Sequence, residues 1–157
     1  MKKKIFCDID NTIANHYPYY LKCINKNRII NLLKLKPLKN SKLALRSFNE
    51  YYDIYFITCR KKKDKKTTIT WLKKNNYIFK NVFFVKSDQS KLNLIIKKNG
   101  FIYIDELKYN YENKKPKIKT QLIKKISQSK LLFFRFNNNW LDIKQKILKK
   151  TKDNFRF

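Results

Sequence analysis

Hydrophobic residues fall along this chain in two alternating kinds of run. Ile5-Phe6-Cys7, Ile54-Tyr55-Phe56-Ile57, Val82-Phe83-Phe84-Val85, Phe101-Ile102-Tyr103-Ile104 and Leu131-Leu132-Phe133-Phe134 are short, continuous and rich in β-branched and aromatic side chains. Runs of that length without polar interruption predict strands buried on both faces. Between them the apolar positions recur at helical spacing. Residues 67–75 place Ile69 and Leu72 on one face. Residues 88–98 carry Leu92, Ile95 and Ile96, with Asp88 or Ser90 available as the cap. Near the end, Trp140, Ile143, Ile147 and Leu148 recur at three- and four-residue intervals. Strands alternating with helices predict an α/β fold, with a parallel sheet, right-handed crossovers and helices on both faces.

One stretch breaks the alternation. From Asn15 to about Asn40 the chain carries Tyr19, Tyr20, Leu21, Ile24, Ile29, Ile30, Leu32 and Leu33 with no strand before them. It reads as one or two short helices inserted after the first strand and ended near Pro37, before a helix over residues 41–52 returns to the sheet. The 157 residues otherwise suffice for one domain with one core. The run from Lys61 to Lys66 reads as a solvated helix entrance.

Ligands of open parallel sheets collect at the carboxyl ends of the strands, and that is where this chain keeps its acids. Asp8 and Asp10 follow the first run, Asp105 and Glu106 the fourth, and Thr58 ends the second. Four of only eleven acidic residues thus fall at two strand ends. Two carboxylates two residues apart repel and lose hydration, costs that a divalent cation such as Mg²⁺ would relieve through hard oxygen ligands. Such a pair can also divide labour between attack and proton transfer. The bland alternative is an aspartate pair capping the following loop. Thr58 can donate a hydrogen bond to a phosphoryl oxygen, although threonine commonly ends strands.

The motif order resembles the haloacid dehalogenase superfamily of phosphohydrolases. Asp8-x-Asp10-x-Thr12 matches its first motif, Thr58 its second, a helical lysine its third, and Asp105-Glu106 its fourth. The likeness spans roughly residues 3 to 145. Within the superfamily it is most similar to the 5′(3′)-deoxyribonucleotidase-like group, through Phe56-Ile57-Thr58-Cys59-Arg60, Tyr103-Ile104-Asp105-Glu106-Leu107, Tyr109-Asn110-Tyr111-Glu112-Asn113 and Asn137-Asn138-Asn139-Trp140. The resemblance implies a Rossmann-like core with residues 15–40 as a small helical cap. It also implies that Asp8 attacks phosphorus to form an aspartyl-phosphate, while Asp10 protonates the leaving oxygen and then activates water. Mg²⁺ would be held by Asp8, the Asp10 carbonyl and Asp105, and Thr58 and a lysine would hold the phosphoryl oxygens. Lys91, fourteen positions before Asp105, fits by spacing. Lys86, directly after a strand, competes with it. Arg60 either contacts substrate phosphate or opens a surface helix. The fourth motif often has Asp where Glu106 stands.

Composition changes the picture in one respect. The formal net charge is +28, from 39 Lys and Arg against 11 Asp and Glu. Such a surface attracts polyanions. Yet only five of the basic residues are Arg, and Asn, Ile, Phe and Tyr abound while Gly is nearly absent. AT-rich coding produces that bias, whereas base and phosphate recognition favours Arg. The three cysteines lack metal-ligand spacing, which suits a reducing cytoplasm. There is no signal-peptide pattern and no run long enough to span a membrane. The charge predicts an anionic partner, and the resemblance implies a small phosphomonoester, a nucleoside monophosphate first, with Tyr17, Tyr19 and Tyr20 of the cap available to stack on a base. A phosphatase of DNA or RNA ends is the first alternative. A non-catalytic nucleic-acid-binding protein on the same fold is the second. With a single glycine, the tight turns after strands would rest on Asn11 and other asparagines.

Overall fold

The computed structural model describes residues 1–26, 30–109, 111 and 116–151. Five strands, β1 (Lys3–Cys7), β2 (Tyr52–Thr58), β3 (Asn81–Phe84), β4 (Ile102–Asp105) and a later edge strand (Leu132–Arg135), form one sheet. All its pairings are parallel. In space β1 lies at the centre, with β2 then β3 on one side, and β4 then the Leu132–Arg135 strand on the other. The helices are α1 (His16–Ile24), α2 (Ser41–Phe48), α3 (Lys65–Lys74), α4 (Asp88–Lys97), α5 (Thr120–Ser127) and α6 (Trp140–Lys150). A two-stranded antiparallel hairpin, β5 (Lys108–Tyr109) with β6 (Lys117–Ile118), follows β4, which makes the edge strand β7. This is the α/β, Rossmann-like parallel sheet that the alternation predicts. No helix among the described residues is long and apolar enough to cross a membrane.

The strands are apolar without interruption because both faces are covered. Ile5, Cys7, Ile54 and Phe56 join Ala44, Leu45 and Phe48 of α2, Trp71 of α3 and Trp140, Ile143 and Ile147 of α6 in one core layer. Phe6, Ile57 and Tyr103 face the other way, onto Leu92 and Ile95 of α4 and Ile126 of α5. Each fully buried side chain of this size contributes ~1.5–3 kcal/mol.

Several boundaries differ from the sequence expectation. Helix α2 stops at Phe48, and Tyr52, expected at its end, opens β2 instead. The cap of α4 is Ser87, whose hydroxyl accepts from Ser90 N–H at 3.2 Å, rather than Asp88 or Ser90. The insertion holds α1 and a 3₁₀ turn at Leu32–Lys34. The expectations at Ile29, Asn110, Glu112 and Asn113 lie outside the described residues. Helix α5 and the hairpin had no counterpart in the strand-and-helix reading, although Leu122, Ile123 and Ile126 have helical spacing. The tight turns rest on asparagine. Asn11, Asn40, Asn76, Asn99 and Asn138 all adopt positive φ, which asparagine tolerates through its short hydrogen-bonding side chain.

Candidate active site

Register brings the acids together. Cys7 pairs with Phe56 on one side and with Ile104 on the other, so the chain leaves β1 between Thr58 and Asp105. Asp8 N–H still bonds the Ile104 carbonyl at 2.9 Å. Its carboxylate, buried, receives the Lys91 ammonium on Oδ1 at 2.5 Å and the Thr12 hydroxyl on Oδ2 at 3.3 Å. Lys91 also donates to Asp105 Oδ2 at 3.0 Å and faces Asp88 at 3.5 Å. Asp105 is fixed further by the Tyr103 hydroxyl at 2.5 Å and by Leu107 N–H at 2.8 Å.

The competition between Lys91 and Lys86 is thereby described geometrically. Lys91 points from the first turn of α4 into the carboxylates and is 4% exposed. Lys86 is exposed to solvent, and among the described residues no hydrogen bond or ion pair joins it to Asp8, Asp10 or Asp105. Arg60 does not open a surface helix. Buried, it forks the Asp10 carboxylate, with Nε at 2.9 and 3.2 Å and a terminal nitrogen at 2.6 Å, and donates to Thr68 Oγ1 at 3.2 Å. A fork of this kind fixes orientation as well as charge. Thr58 Oγ1 accepts the Arg60 N–H at 3.1 Å, which leaves its own proton to give.

Electrostatics follow from one ammonium facing several buried carboxylates. Burial pushes the Asp8 carboxyl up to about 7, and Asp105 and Asp10 add to this against the pull of Lys91. Burial, then Asp8 and Asp105, carry Glu106 up to about 8 even though the Asn11 side chain hydrogen-bonds it. At Asp10, burial acts upward, but the hydrogen bonds and charge of Arg60 outweigh it and hold the carboxyl below its ordinary value. Lys91 is held well above the usual lysine range: burial opposes its charge, and Asp105 and Asp8 more than compensate.

Among the described residues no three metal-binding side chains converge as a ready-made cage. Mg²⁺ does not require one, since it retains waters and commonly takes one or two carboxylates. Asp8 and Asp105, both buried and sharing a single ammonium, are oxygen donors with carboxylate charge left over, and Glu106 lies next in the chain. The donor set therefore fits a hard divalent cation.

Sequence reasoning passed over three supports of the site. Tyr103 read as a strand residue and as part of a family-like segment, with no role for its hydroxyl. Asp88, which bridges Lys91 and Lys119, read only as a cap. The Trp140 indole N–H donates to the Thr12 carbonyl at 2.7 Å, pinning the loop after β1; its long reach in sequence gives no local signal. The cap tyrosines divide: Tyr17 leans on Tyr111, Tyr20 stacks on His16, and Tyr19 packs against the core.

No family model and no curated protein matches the sequence. Solved structures do share its fold. One chain of the Pnkp1/Rnl/Hen1 complex superposes with a TM-score of 0.58 at 14% identity, over 87% of this chain and 46% of that one. A chain of the Pnkp1/Rnl/Hen1 RNA repair complex gives 0.60 at 14% identity, over 87% and 43%. This chain thus spans less than half the length of either, and the likeness is one of fold.

Proposed function

We propose that this chain is a Mg²⁺-dependent phosphomonoester hydrolase of the haloacid dehalogenase type. The carrying observation is Asp8: a buried carboxylate at the end of the central strand, oriented by Lys91 and Thr12, with Asp10 two residues on. Asp8 attacks phosphorus in line with the leaving oxygen, forming an acyl phosphate as the P–O bond to the alcohol breaks. Asp10 gives that oxygen a proton and then takes one from the water that hydrolyses the acyl phosphate. For this the Arg60 fork must open, and the freed guanidinium can then face the phosphoryl oxygens beside Thr58 and Lys91. Positioning and charge stabilisation supply most of the acceleration in such chemistry. Asp8, Asp105 and the Asp10 carbonyl would hold the Mg²⁺, with Glu106 as a neighbour, and the ion would offset the charge of phosphate and carboxylates.

The substrate we favour is the phosphorylated end of a nucleic acid strand. The +28 net charge supports it, as does the fold's likeness to chains of an RNA repair complex. A free nucleoside monophosphate is the second reading, favoured by a small cavity of about 220 Å³ beside Glu106. Phosphate release from 3′- and 5′-phosphorylated oligonucleotides and from the corresponding mononucleotides, with Mg²⁺ or a chelator, separates the two. Asp8→Asn is expected to lower turnover at least ~10³-fold on every substrate, the scale seen when a group central to the transition state is removed. Full activity in that variant would remove Asp8 as nucleophile, and silence of the native protein on the whole panel would favour a binding protein.

A further inference from the structure

The residues of β4 are buried throughout, and Tyr103 has no exposed surface. Its ring packs on Phe133, with centroids 5.5 Å apart and tilted at 45°, in the layer that holds Leu92, Ile95 and Ile126. A phenylalanine would fill that space equally, so the hydroxyl is what sets this residue apart. A phenol buried there must find a partner or cost stability. Tyr103 and Asp105 stand two apart on one strand, so their side chains leave the same face. The hydroxyl thereby reaches Asp105 Oδ2 at 2.5 Å.

A carboxylate only accepts hydrogen bonds, through about two lone-pair positions on each oxygen. Among the described residues three donors reach Asp105. Its Oδ2 takes two of them, the Lys91 ammonium at 3.0 Å and the Tyr103 hydroxyl. Its Oδ1 takes Leu107 N–H at 2.8 Å and keeps a position open. Asp8 is less crowded, with Lys91 on Oδ1 and Thr12 on Oδ2. A cation arriving at Asp105 therefore finds room on Oδ1 alone. Lys91 by itself would not close Oδ2, since one ammonium hydrogen fills one position and the rest of that charge faces Asp8 and Asp88.

We propose that Tyr103 is a positioning residue that makes Asp105 a one-oxygen ligand and so sets the site for Mg²⁺ over Ca²⁺. The proposal rests on the Mg²⁺-dependent reading and deepens it. Mg²⁺ demands near-ideal octahedral geometry, which chelation by both oxygens of one carboxylate distorts. Ca²⁺ takes about six to eight oxygens in flexible geometry and accepts a carboxylate through both. A hydroxyl seated on Oδ2 thus costs Mg²⁺ nothing and denies Ca²⁺ a ligand. Tyr103 acts through Asp105, as the hydrogen-bonding partners behind metal ligands do.

The test is calorimetric titration of MgCl₂ and of CaCl₂ into native protein and Tyr103→Phe, without substrate. The native protein should bind Mg²⁺ more tightly than Ca²⁺. Tyr103→Phe should weaken Mg²⁺ about tenfold or more, the usual loss when a partner behind a metal ligand is removed. It should weaken Ca²⁺ by less than about threefold, because that ion gains the freed position on Oδ2. The ratio of the two dissociation constants then moves toward Ca²⁺. A purely structural role would weaken both ions by one factor, and that result, or two unchanged affinities, would overturn the proposal while leaving the metal site standing. Native protein that binds neither ion would instead remove the metal reading and the proposal with it. The variant keeps the ring, and its melting temperature in chelator reads folding separately. Tighter binding of Ca²⁺ than of Mg²⁺ by native protein would overturn the proposal whatever the variant does.

Discussion

Lys91 carries one positive charge and faces Asp8 at 2.5 Å, Asp105 at 3.0 Å and Asp88 at 3.5 Å. Charge balance at the sheet end is therefore incomplete in the protein alone, and stability should record it. Asp8 and Glu106 reach about 7 and about 8 in the fold, against ordinary values of 3.8 and 4.5. Between those limits the folded chain holds protons that the unfolded chain has released. Raising the pH thus favours unfolding, and the stability both groups contribute in mild acid is lost as pH passes their folded values. In chelator, the melting temperature of the native protein should fall from pH 5 to pH 8, and that of Asp8→Asn should fall less. At pH 8 the Asn variant should melt ~2–4 °C above native, corresponding to about 1 kcal/mol. A native protein as stable at pH 8 as at pH 5 would contradict the account. Removing the cation instead leaves buried carboxylates unpaired, so Lys91→Met should cost about 3–5 kcal/mol, read from urea unfolding.

At the scale of elements, the site depends on how strands and loops are tied at their ends. Gly100, just before β4, is the chain's one glycine, and a Cβ there would lie 2.4 Å from Ile95 Cγ2 and 3.1 Å from a Phe6 ring carbon. Gly100→Ala should therefore destabilise by about 1–3 kcal/mol through overpacking between α4 and β1, a shift that thermal denaturation would resolve. Trp140→Phe would leave the buried Thr12 carbonyl unmatched, for about 1–3 kcal/mol, and should lower kcat/KM by loosening the loop that carries Asp10. The contrast between these two positions shows what the sequence makes legible. All five sheet strands were readable because a strand buried on both faces is uninterruptedly apolar, and Asp8, Asp10, Thr58 and Asp105 were readable because strand ends in such sheets collect ligands. Lys91 was readable by spacing alone. The Arg60–Asp10 fork and the Trp140 tie to Thr12 were not, since they join residues 50 and 128 positions apart, whereas the Tyr103 hydroxyl on Asp105 joins two residues at the strand period and was passed over because Tyr103 read as core. Helix α5 was missed for a different reason: its apolar face is only Leu122, Ile123 and Ile126, flanked by lysines on an exposed surface.

On the scale of the whole molecule, the question is whether +28 is used or merely tolerated. Lysines are spread along the whole chain, which fits a compositional origin, yet Lys61, Lys62 and Lys63 after β2 and Lys86 after β3 are all exposed just beyond the carboxyl ends of those strands. A strand whose phosphorylated end reaches Asp8 would have to cross part of that basic rim. Each phosphate it places there releases counterions, giving a slope of about −0.7 per contact in log affinity against log salt for single strands. The Michaelis constant for a phosphorylated oligonucleotide should therefore rise steeply between low and moderate salt, while that for the mononucleotide, with one phosphate, rises little. Exchanging Lys61, Lys62 and Lys63 together for Glu should flatten the oligonucleotide slope and change the oligonucleotide constant more than the mononucleotide one, because only the longer substrate places several phosphates on the rim. Parallel slopes for the two substrates in the native protein would mean that the rim takes no part, and would favour the free-nucleotide reading.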